Sequence, residues 1–132
     1  MLQVISPAEA YRRVELDALV LGGDARQLIK LCLAEAVGSL DRALLWHDKG
    51  DRRRRNTALA KAISGIHALR MGIDQQHPLG GALLTLYGSA AARLTRTLIR
   101  FDAGAVAEVS ADLAELADAF GITCPRQADR TL

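Results

Sequence analysis

The sequence predicts an all-α protein, and both its composition and its hydrophobic period support that prediction. Half of the 132 residues are hydrophobic but only 4% are aromatic, so the core has to consist mainly of Leu, Ala, Val and Ile. Leu and Ala are strong helix formers, and Ala lets helices approach closely. Apolar residues recur three and four positions apart along most of the chain, as on one face of a helix. The length is that of one domain.

The first two predicted helices are marked by their start signals. Residues 6–9 carry a serine that can cap, a proline suited to the first helical position and the glutamate of a capping box. We therefore predict a helix over residues 7–21 that stops at Gly22-Gly23, and a second helix capped by Asp24. The second helix has an apolar stripe too wide for one buried face, so it should contact neighbours on two sides. This stripe comprises Leu28, Ile29, Cys32, Leu33, Ala36, Val37, Leu40, Ala43, Leu44 and Trp46.

Three further helices follow the break at Lys49-Gly50-Asp51. The third follows this break and ends near residues 72–77, Pro78 can open the fourth, and residues 102–104 separate the fourth from the fifth. The buried face of the fourth is predicted to comprise Leu79, Leu83, Leu86, Tyr87, Ala90, Leu94, Leu98 and Phe101. That of the fifth is predicted to comprise Val106, Val109, Leu113, Leu116, Ala117 and Phe120.

Short connections favour antiparallel neighbours. The predicted architecture is an antiparallel up-and-down four-helix bundle over residues 24–121, with residues 1–23 as an additional N-terminal helix or lid segment. Residues 122–132 have no apolar period and are expected to form a loose tail. All three parts belong to a single domain.

No group of residues in the sequence has the pattern of a catalytic or metal site. His47, His67 and His77 lack metal-ligand spacing, and no nucleophile elbow, phosphate loop or dinucleotide fingerprint is present. We expect neither an enzyme nor a bound metal or cofactor. The N-terminus lacks the pattern of a signal peptide and no apolar run approaches ~18 residues, so a cytoplasmic protein without membrane insertion is expected.

Arg52–Arg55 is the sharpest local charge feature in a chain whose net charge is only +2. It suits either a phosphate-binding patch or a solvated loop and first helical turn, and the second interpretation is favoured. Cations at a helix N-terminus oppose the macrodipole, so an acidic partner would explain arginines placed within the helix. A second basic stripe on the fourth helix could meet an acidic stripe on the fifth. These stripes are Arg93, Arg96 and Arg100, and Glu108, Asp112, Glu115 and Asp118.

Several motifs of the sequence, taken in their order along the chain, resemble those of the flagellin-export chaperone family, FliS. In residues 56–74 the match is the succession Asn, Leu, Lys-Ala, Ile, Leu and a final apolar-Asp pair. The other matching motifs are Ala10-Tyr11, Leu28-Ile29 with Leu31 and Leu33, Leu83 with Leu86-Tyr87 and Leu94, and Asp118-Ala119-Phe120. The chain departs from the family where Gly22-Gly23-Asp24-Ala25 replaces a Ser/Thr-Pro turn, and where Leu33 replaces a tyrosine.

The resemblance implies a chaperone whose client is the disordered C-terminal segment of flagellin. That segment wraps around the bundle in an apolar groove, which hides its polymerising residues until export. The resemblance also allows a second partner, a component of the flagellar export gate. By carry-over, the client-binding candidates are Tyr11, Leu28, Leu31, Ile66, Leu83, Leu86 and Tyr87. The groove candidates among them are also ordinary core positions of a bundle, and for Tyr11 a packed helix position is an equal alternative.

Two other functions remain open from the sequence. One is a helical interaction module or regulator with no chaperone role. The other is a nucleic-acid binder using Arg52–Arg55, which should bind with a steep salt dependence, whereas binding in an apolar groove should depend much less on salt. The even balance of 17 basic and 15 acidic residues does not favour nucleic acid as a partner.

Tyr11 is predicted, from the resemblance, to fill a pocket of the free chaperone that the client later occupies. Tyr11→Ala should then lower the melting temperature slightly and leave client affinity unchanged or higher. Thermal unfolding and calorimetric titration of the same variant measure both quantities. Much weaker binding at unchanged stability would contradict this lid hypothesis.

Overall fold

The computed structural model describes residues 23–73, 76 and 80–119. These residues form four α-helices and no strand, which confirms the all-α class. We number the helices α1 (Gly23–Asp48), α2 (Arg52–Met71), α3 (Gly80–Ile99) and α4 (Ala103–Ala119). The predicted helix over residues 7–21, the start at Pro78 and the tail over residues 122–132 lie outside the described residues.

A tight turn joins α1 to α2. Gly50 adopts a φ of 75°, in the left-handed region that favours glycine. Its N–H donates to the carbonyl of His47, and the N–H of Asp51 donates to the carbonyl of Trp46 at 2.9 Å. These two bonds make a Schellman motif that satisfies the last carbonyls of α1. Asp51 then caps α2, because its Oδ1 accepts the N–H of Arg54 at 3.0 Å.

The helices contact one another around a ring, α1 with α2 and α4, and α3 with α2 and α4. Residues near the end of α1 contact the start of α2, since Arg54 lies over the Trp46 ring, whereas Gly65 faces Cys32 and Ala36. This reversed order of contacts is that of antiparallel neighbours. The contact of α1 with two helices confirms the expectation drawn from its wide apolar stripe. The up-and-down topology of the whole bundle stays a prediction.

The core within the described residues is aliphatic, apart from Tyr87. Its largest fully buried side chains are Tyr87, Leu33, Leu40, Leu59, Ile66, Leu83, Leu94, Leu113, Val37, Val106 and Val109. One buried hydrogen bond joins α1 to α4, from Ser110 Oγ to Asp41 Oδ1 at 2.8 Å. Buried polar groups are costly unless they are hydrogen-bonded, so this pair specifies which faces of α1 and α4 meet.

One predicted boundary and one predicted core position were wrong. Helix α4 begins at Ala103, inside the predicted connection. Helix α2 begins at Arg52, directly after the predicted break at residues 49–51, because Asp51 supplies the cap. Leu98 was expected on the buried face of its helix but is 36% exposed. The ring of Phe101, beyond the end of that helix, is half-buried and packs against the core.

Within residues 23–73 and 80–119, no helix has both the length and the apolarity that crossing a bilayer requires.

Gly65 tests the close approach of α1 and α2. A Cβ at this position would lie 3.7 Å from the Cβ of Ala36 and 3.7 Å from the carbonyl oxygen of Cys32, which is ordinary contact. Gly65→Ala should therefore raise the free energy of unfolding by about 0.5–1 kcal/mol through helix propensity. Gly65→Leu should lower it by about 1–3 kcal/mol because the larger side chain overpacks the interface. Urea denaturation measures both changes, and equal effects of the two substitutions would show that the helices are not in close contact here.

Candidate functional site

A small cleft lies between α3 and α4, whose packing is the sparsest among the four contacting pairs of described helices. Its floor consists of the buried side chains of Ala90, Val109 and Leu113, and Leu86 forms a half-buried apolar wall. The remaining lining residues are Ser89, Arg93 and Asp112. The volume is about 60 Å³, which suits one small apolar side chain. We call this feature the α3–α4 cleft.

The relative position of the two helices around the cleft is held by one ion pair. Arg93 Nη2 donates to Glu108 Oε1 at 2.6 Å, with side-chain exposures of 31% and 70%. The sequence predicted contact between a basic stripe and an acidic stripe on these two helices. Among the described residues, that contact is found for the pair Arg93 and Glu108. An exposed pair of this kind contributes about 0–1 kcal/mol, so it sets register more than stability. Arg93 lines the cleft at one end and the half-buried Leu86 lines it at the other.

A second apolar feature lies on α1, where Leu31 is 58% exposed. Ile29 and Cys32 beside it are half-buried and pack against the core. One turn along the helix a polar network begins, in which Arg42 Nη2 donates to Glu35 Oε2 at 3.0 Å and to Ser39 Oγ at 2.9 Å. Leu31 is therefore an apolar side chain at the edge of a charged surface, where an apolar partner would gain contact area.

The structure divides the candidate client-binding residues into two groups. Ile66, Leu83 and Tyr87 are at most 1% exposed and belong to the core, one of the two alternatives that the sequence left open. Leu31 and Leu86 keep accessible surface. The position of Leu28 is helical within α1, and Tyr11 lies outside the described residues.

Sequence reasoning missed the small residues that form the α3–α4 cleft. Ser89 and Ala90 leave a depression because their side chains are short, and the run Gly88-Ser89-Ala90-Ala91 was the available signal. It also missed two strongly exposed apolar side chains, Met71 at 87% and Ile99 at 88%. Met71 is the last residue of α2, and Ile99 is the last residue of α3. In both helices the apolar spacing continues beyond the part of the helix that packs in the core.

The pKa of Cys32 on α1 is clearly shifted from its ordinary value. Partial burial removes water from the thiolate and raises the pKa of the thiol. A raised pKa makes the thiol a poor nucleophile at neutral pH, so this cysteine does not suit covalent chemistry. Among the described residues, no group of three or more His, Cys, Asp or Glu side chains could hold a metal ion. The arrangement offers contacts for binding a partner.

Comparison with known proteins identifies a family whose members match most of the chain. The model of the family described as flagellar protein FliS matches residues 7–127. The flagellar secretion chaperone FliS of Salmonella typhimurium strain LT2 is 33% identical over 126 residues, covering 92% of each chain. The flagellar secretion chaperone FliS of Escherichia coli strain K12 is 29% identical over 115 residues, covering 85% of each chain. The resemblance that the motifs indicated is confirmed.

The raised pKa of Cys32 makes a testable prediction about reactivity and pH. In a Cys124→Ser background, a disulfide reagent should modify Cys32 more slowly in the native protein than in urea at pH 8, because less thiolate is present. Since the folded pKa lies above the unfolded one, the associated stability is complete below the ordinary thiol range and is lost as pH rises through the folded pKa. The rate is measured from the absorbance of the thiolate that the disulfide reagent releases when it modifies Cys32. Equal rates in native buffer and in urea would contradict this environment.

Proposed function

Because the chain belongs to the FliS family of flagellar proteins, we propose that it is a flagellar secretion chaperone whose client is the disordered C-terminal segment of flagellin. By covering that segment, the protein prevents premature polymerisation and supports flagellar type III export. Its proposed location is the cytoplasm, where a client is captured before export. A component of the flagellar export gate is proposed as the next partner of the loaded complex.

The α3–α4 cleft is the observation that carries the proposal. A helical client segment presents apolar anchors at positions i, i+3, i+4 and i+7, and it needs an apolar strip with depressions to receive them. The sparse packing between α3 and α4 supplies such a depression, with Val109 and Leu113 at its floor. Leu86 at its open wall is the candidate residue that the sequence and the geometry both favour.

The contacts of a disordered client have to be favourable enough to outweigh the free energy lost when the client becomes ordered. Ordering a flexible segment costs several kcal/mol of the gross binding energy, so one small cleft is not enough. A wrapped client would also cover Leu31 on α1, which is 58% exposed, and so extend the apolar footprint. This requirement for a long footprint favours a wrapping segment over a compact partner.

The buried candidates have an indirect role in this proposal. Ile66, Leu83 and Tyr87 support the surface from beneath and keep its shape, because their side chains fill the core behind it. Truncating them to alanine should cost roughly 2–5 kcal/mol of stability before it affects binding. In the same proposal Tyr11 and its segment act as the displaceable lid.

Calorimetric titration with the C-terminal segment of flagellin from the same organism tests the function. A peptide of about 40 residues should form a one-to-one complex with a large negative heat-capacity change. Circular dichroism should show a gain of helix on mixing. Absence of binding to every flagellin of that organism would overturn the proposal and would favour a helical interaction module with a different partner.

Leu31→Gln should weaken the flagellin complex without destabilising the free protein. Covering the exposed part of a leucine contributes about 1 kcal/mol, which corresponds to about a fivefold rise in Kd. Because Leu31 is 58% exposed, the melting temperature should stay nearly constant. Titration with the same peptide measures the change in Kd.

Ile99→Gln is the matched control, since Ile99 is 88% exposed and stands at the last residue of α3, away from Leu86. It makes a similar apolar-to-amide change and should alter Kd by less than about twofold. If both variants weaken binding equally, Leu31 is not part of the client surface.

A further inference from the structure

Arginine side chains converge at the end of the bundle where α1 and α3 end and α2 and α4 begin. Arg52–Arg55 form the first turn of α2, and Arg96 and Arg100 lie at the end of α3. We call this group, with the aromatic rings of Trp46 and Phe101, the basic end. Two open depressions flank it, one of about 520 Å³ beside Trp46 and one of about 870 Å³ beside Phe101.

The aromatic rings join the two groups of arginines into one surface. Arg55 lies over the Phe101 ring at 4.5 Å, and Phe101 also lines the depression formed by Arg96 and Arg100. Arg54 lies over the Trp46 ring at 4.8 Å, beside the depression that Arg53 lines. Cation–π contacts of this kind favour these positions of the guanidinium groups without neutralising their charge.

Within the described part of the chain, this surface has more positive charge than its own acids neutralise. Arg54 pairs with Asp51 at 3.6 Å, but Arg52, Arg53, Arg96 and Arg100 have no carboxylate partner there. Asp51 and Asp102 are both engaged as helix caps, accepting the N–H groups of Arg54 and Ala105. Their carboxylates therefore serve the helix termini more than the neighbouring guanidinium groups.

The position of the arginines has a structural cost. The first turn of α2 contains no acidic residue, and cations there oppose the helix macrodipole by some tenths of a kcal/mol each. Ring contacts and the ion pair with Asp51 offset this cost for Arg54 and Arg55, but Arg52 and Arg53 have no such contact among the described residues. A binding role accounts for them, because a bound anion would reverse the sign of the interaction.

We propose that the basic end binds an acidic segment of a second protein, one rich in Asp and Glu side chains. A planar guanidinium binds a carboxylate through two parallel hydrogen bonds, and six arginines around two depressions suit several carboxylates on one extended chain. This function goes beyond the proposed binding of flagellin and does not depend on it.

Charge distribution favours a short acidic segment over nucleic acid. The chain as a whole has 17 basic and 15 acidic residues, so the positive field is local to this end. The exposed carboxylates of Glu108, Asp112, Glu115 and Asp118 on α4 would repel a long polyanion that extended beyond it. A short peptide with carboxylates stays beside the arginines, where Asp51 and Asp102 are the acidic residues that line the two depressions.

The test uses the full chain and a fluorescein-labelled peptide of about twelve residues containing both Asp and Glu. Extended, such a peptide spans up to about 40 Å. Fluorescence anisotropy should show saturable binding that weakens steeply as salt rises through the range where the Debye length falls below about 10 Å. The same peptide with Asn and Gln in place of Asp and Glu should not bind.

The double variant Arg53→Gln/Arg96→Gln removes one side chain from each depression and no ion pair within the described residues. It should raise Kd about tenfold, as expected for two exposed charge contacts. The matched control Lys30→Gln/Arg70→Gln removes the same charge near the opposite end and should change Kd by less than about twofold. Thermal unfolding should show both variants folded, and Arg53→Lys/Arg96→Lys should retain part of the affinity.

Four results would overturn the proposal. The first is no binding of the acidic peptide to the unsubstituted chain, and the second is an equal loss in both double variants. The third is tighter binding of a single-stranded oligonucleotide of the same charge, with the same loss in Arg53→Gln/Arg96→Gln, which would assign the surface to nucleic acid. The fourth is self-association in sedimentation that only this variant abolishes, which would make a second copy of the chain the occupant.

Discussion

The close packing of α1 against α2 is the constraint on which the other contacts depend. With 4% aromatic residues, the chain lacks the large side chains that would fill a wide gap between helices. Its buried faces carry small residues instead, including Ala36, Ala58 and Ala62, and Gly65 leaves ordinary contact distance to α1. Interiors reach their density only if such helices approach closely, so the axes must come together. The Schellman turn at Gly50 holds the pair in that arrangement, since its hydrogen bonds end α1 at Asp48 and only two residues separate that end from the cap of α2 at Asp51.

The other two helices complete a core around this pair and leave the accessible apolar surface between themselves. Helix α1 meets α4 through the buried bond between Asp41 and Ser110, which disfavours rotation of either helix because it would separate two desolvated polar groups. Helix α3 inserts Tyr87 into the centre. Between α3 and α4 the described residues pack less tightly, and an exposed ion pair sets their register. A sparse contact between two rigid helices is where a third helical segment can be added with little rearrangement.

Helix periods and the identity of most core residues follow from the sequence because they depend on local spacing, as at Leu83, Tyr87 and Leu94. The period does not say how far a neighbouring helix extends, so Leu98 was predicted buried and Leu31 could not be told from Ile66. The α3–α4 cleft depends on a distance between helices, which no local pattern encodes. The break before α2 was predicted at residues 49–51, but the sequence did not say whether Arg52–Arg55 lie within the helix, where they oppose the macrodipole. There, the cap by Asp51 and the rings of Trp46 and Phe101 offset the unfavourable charge, and both come from outside the helix.

The two proposed binding surfaces differ in place and in physical character, and this difference bears on how the protein could work. Leu31 and Trp46 are both on α1, separated by fifteen residues or roughly 22 Å of helix. The contacts that place Gly65 beside Cys32 and Arg54 beside Trp46 show that Leu31 belongs to the half away from the basic end. A client segment at Leu31 therefore need not displace an acidic segment at the other end, whereas one in the α3–α4 cleft would lie next to it, because Arg93 lines both the cleft and the depression beside Phe101. Apolar burial is little affected by moderate salt, whereas binding between exposed charges is screened, so ionic strength alone should separate the two associations. A chaperone with this arrangement can hold its client through an interaction that resists salt while it exchanges a second partner through one that does not.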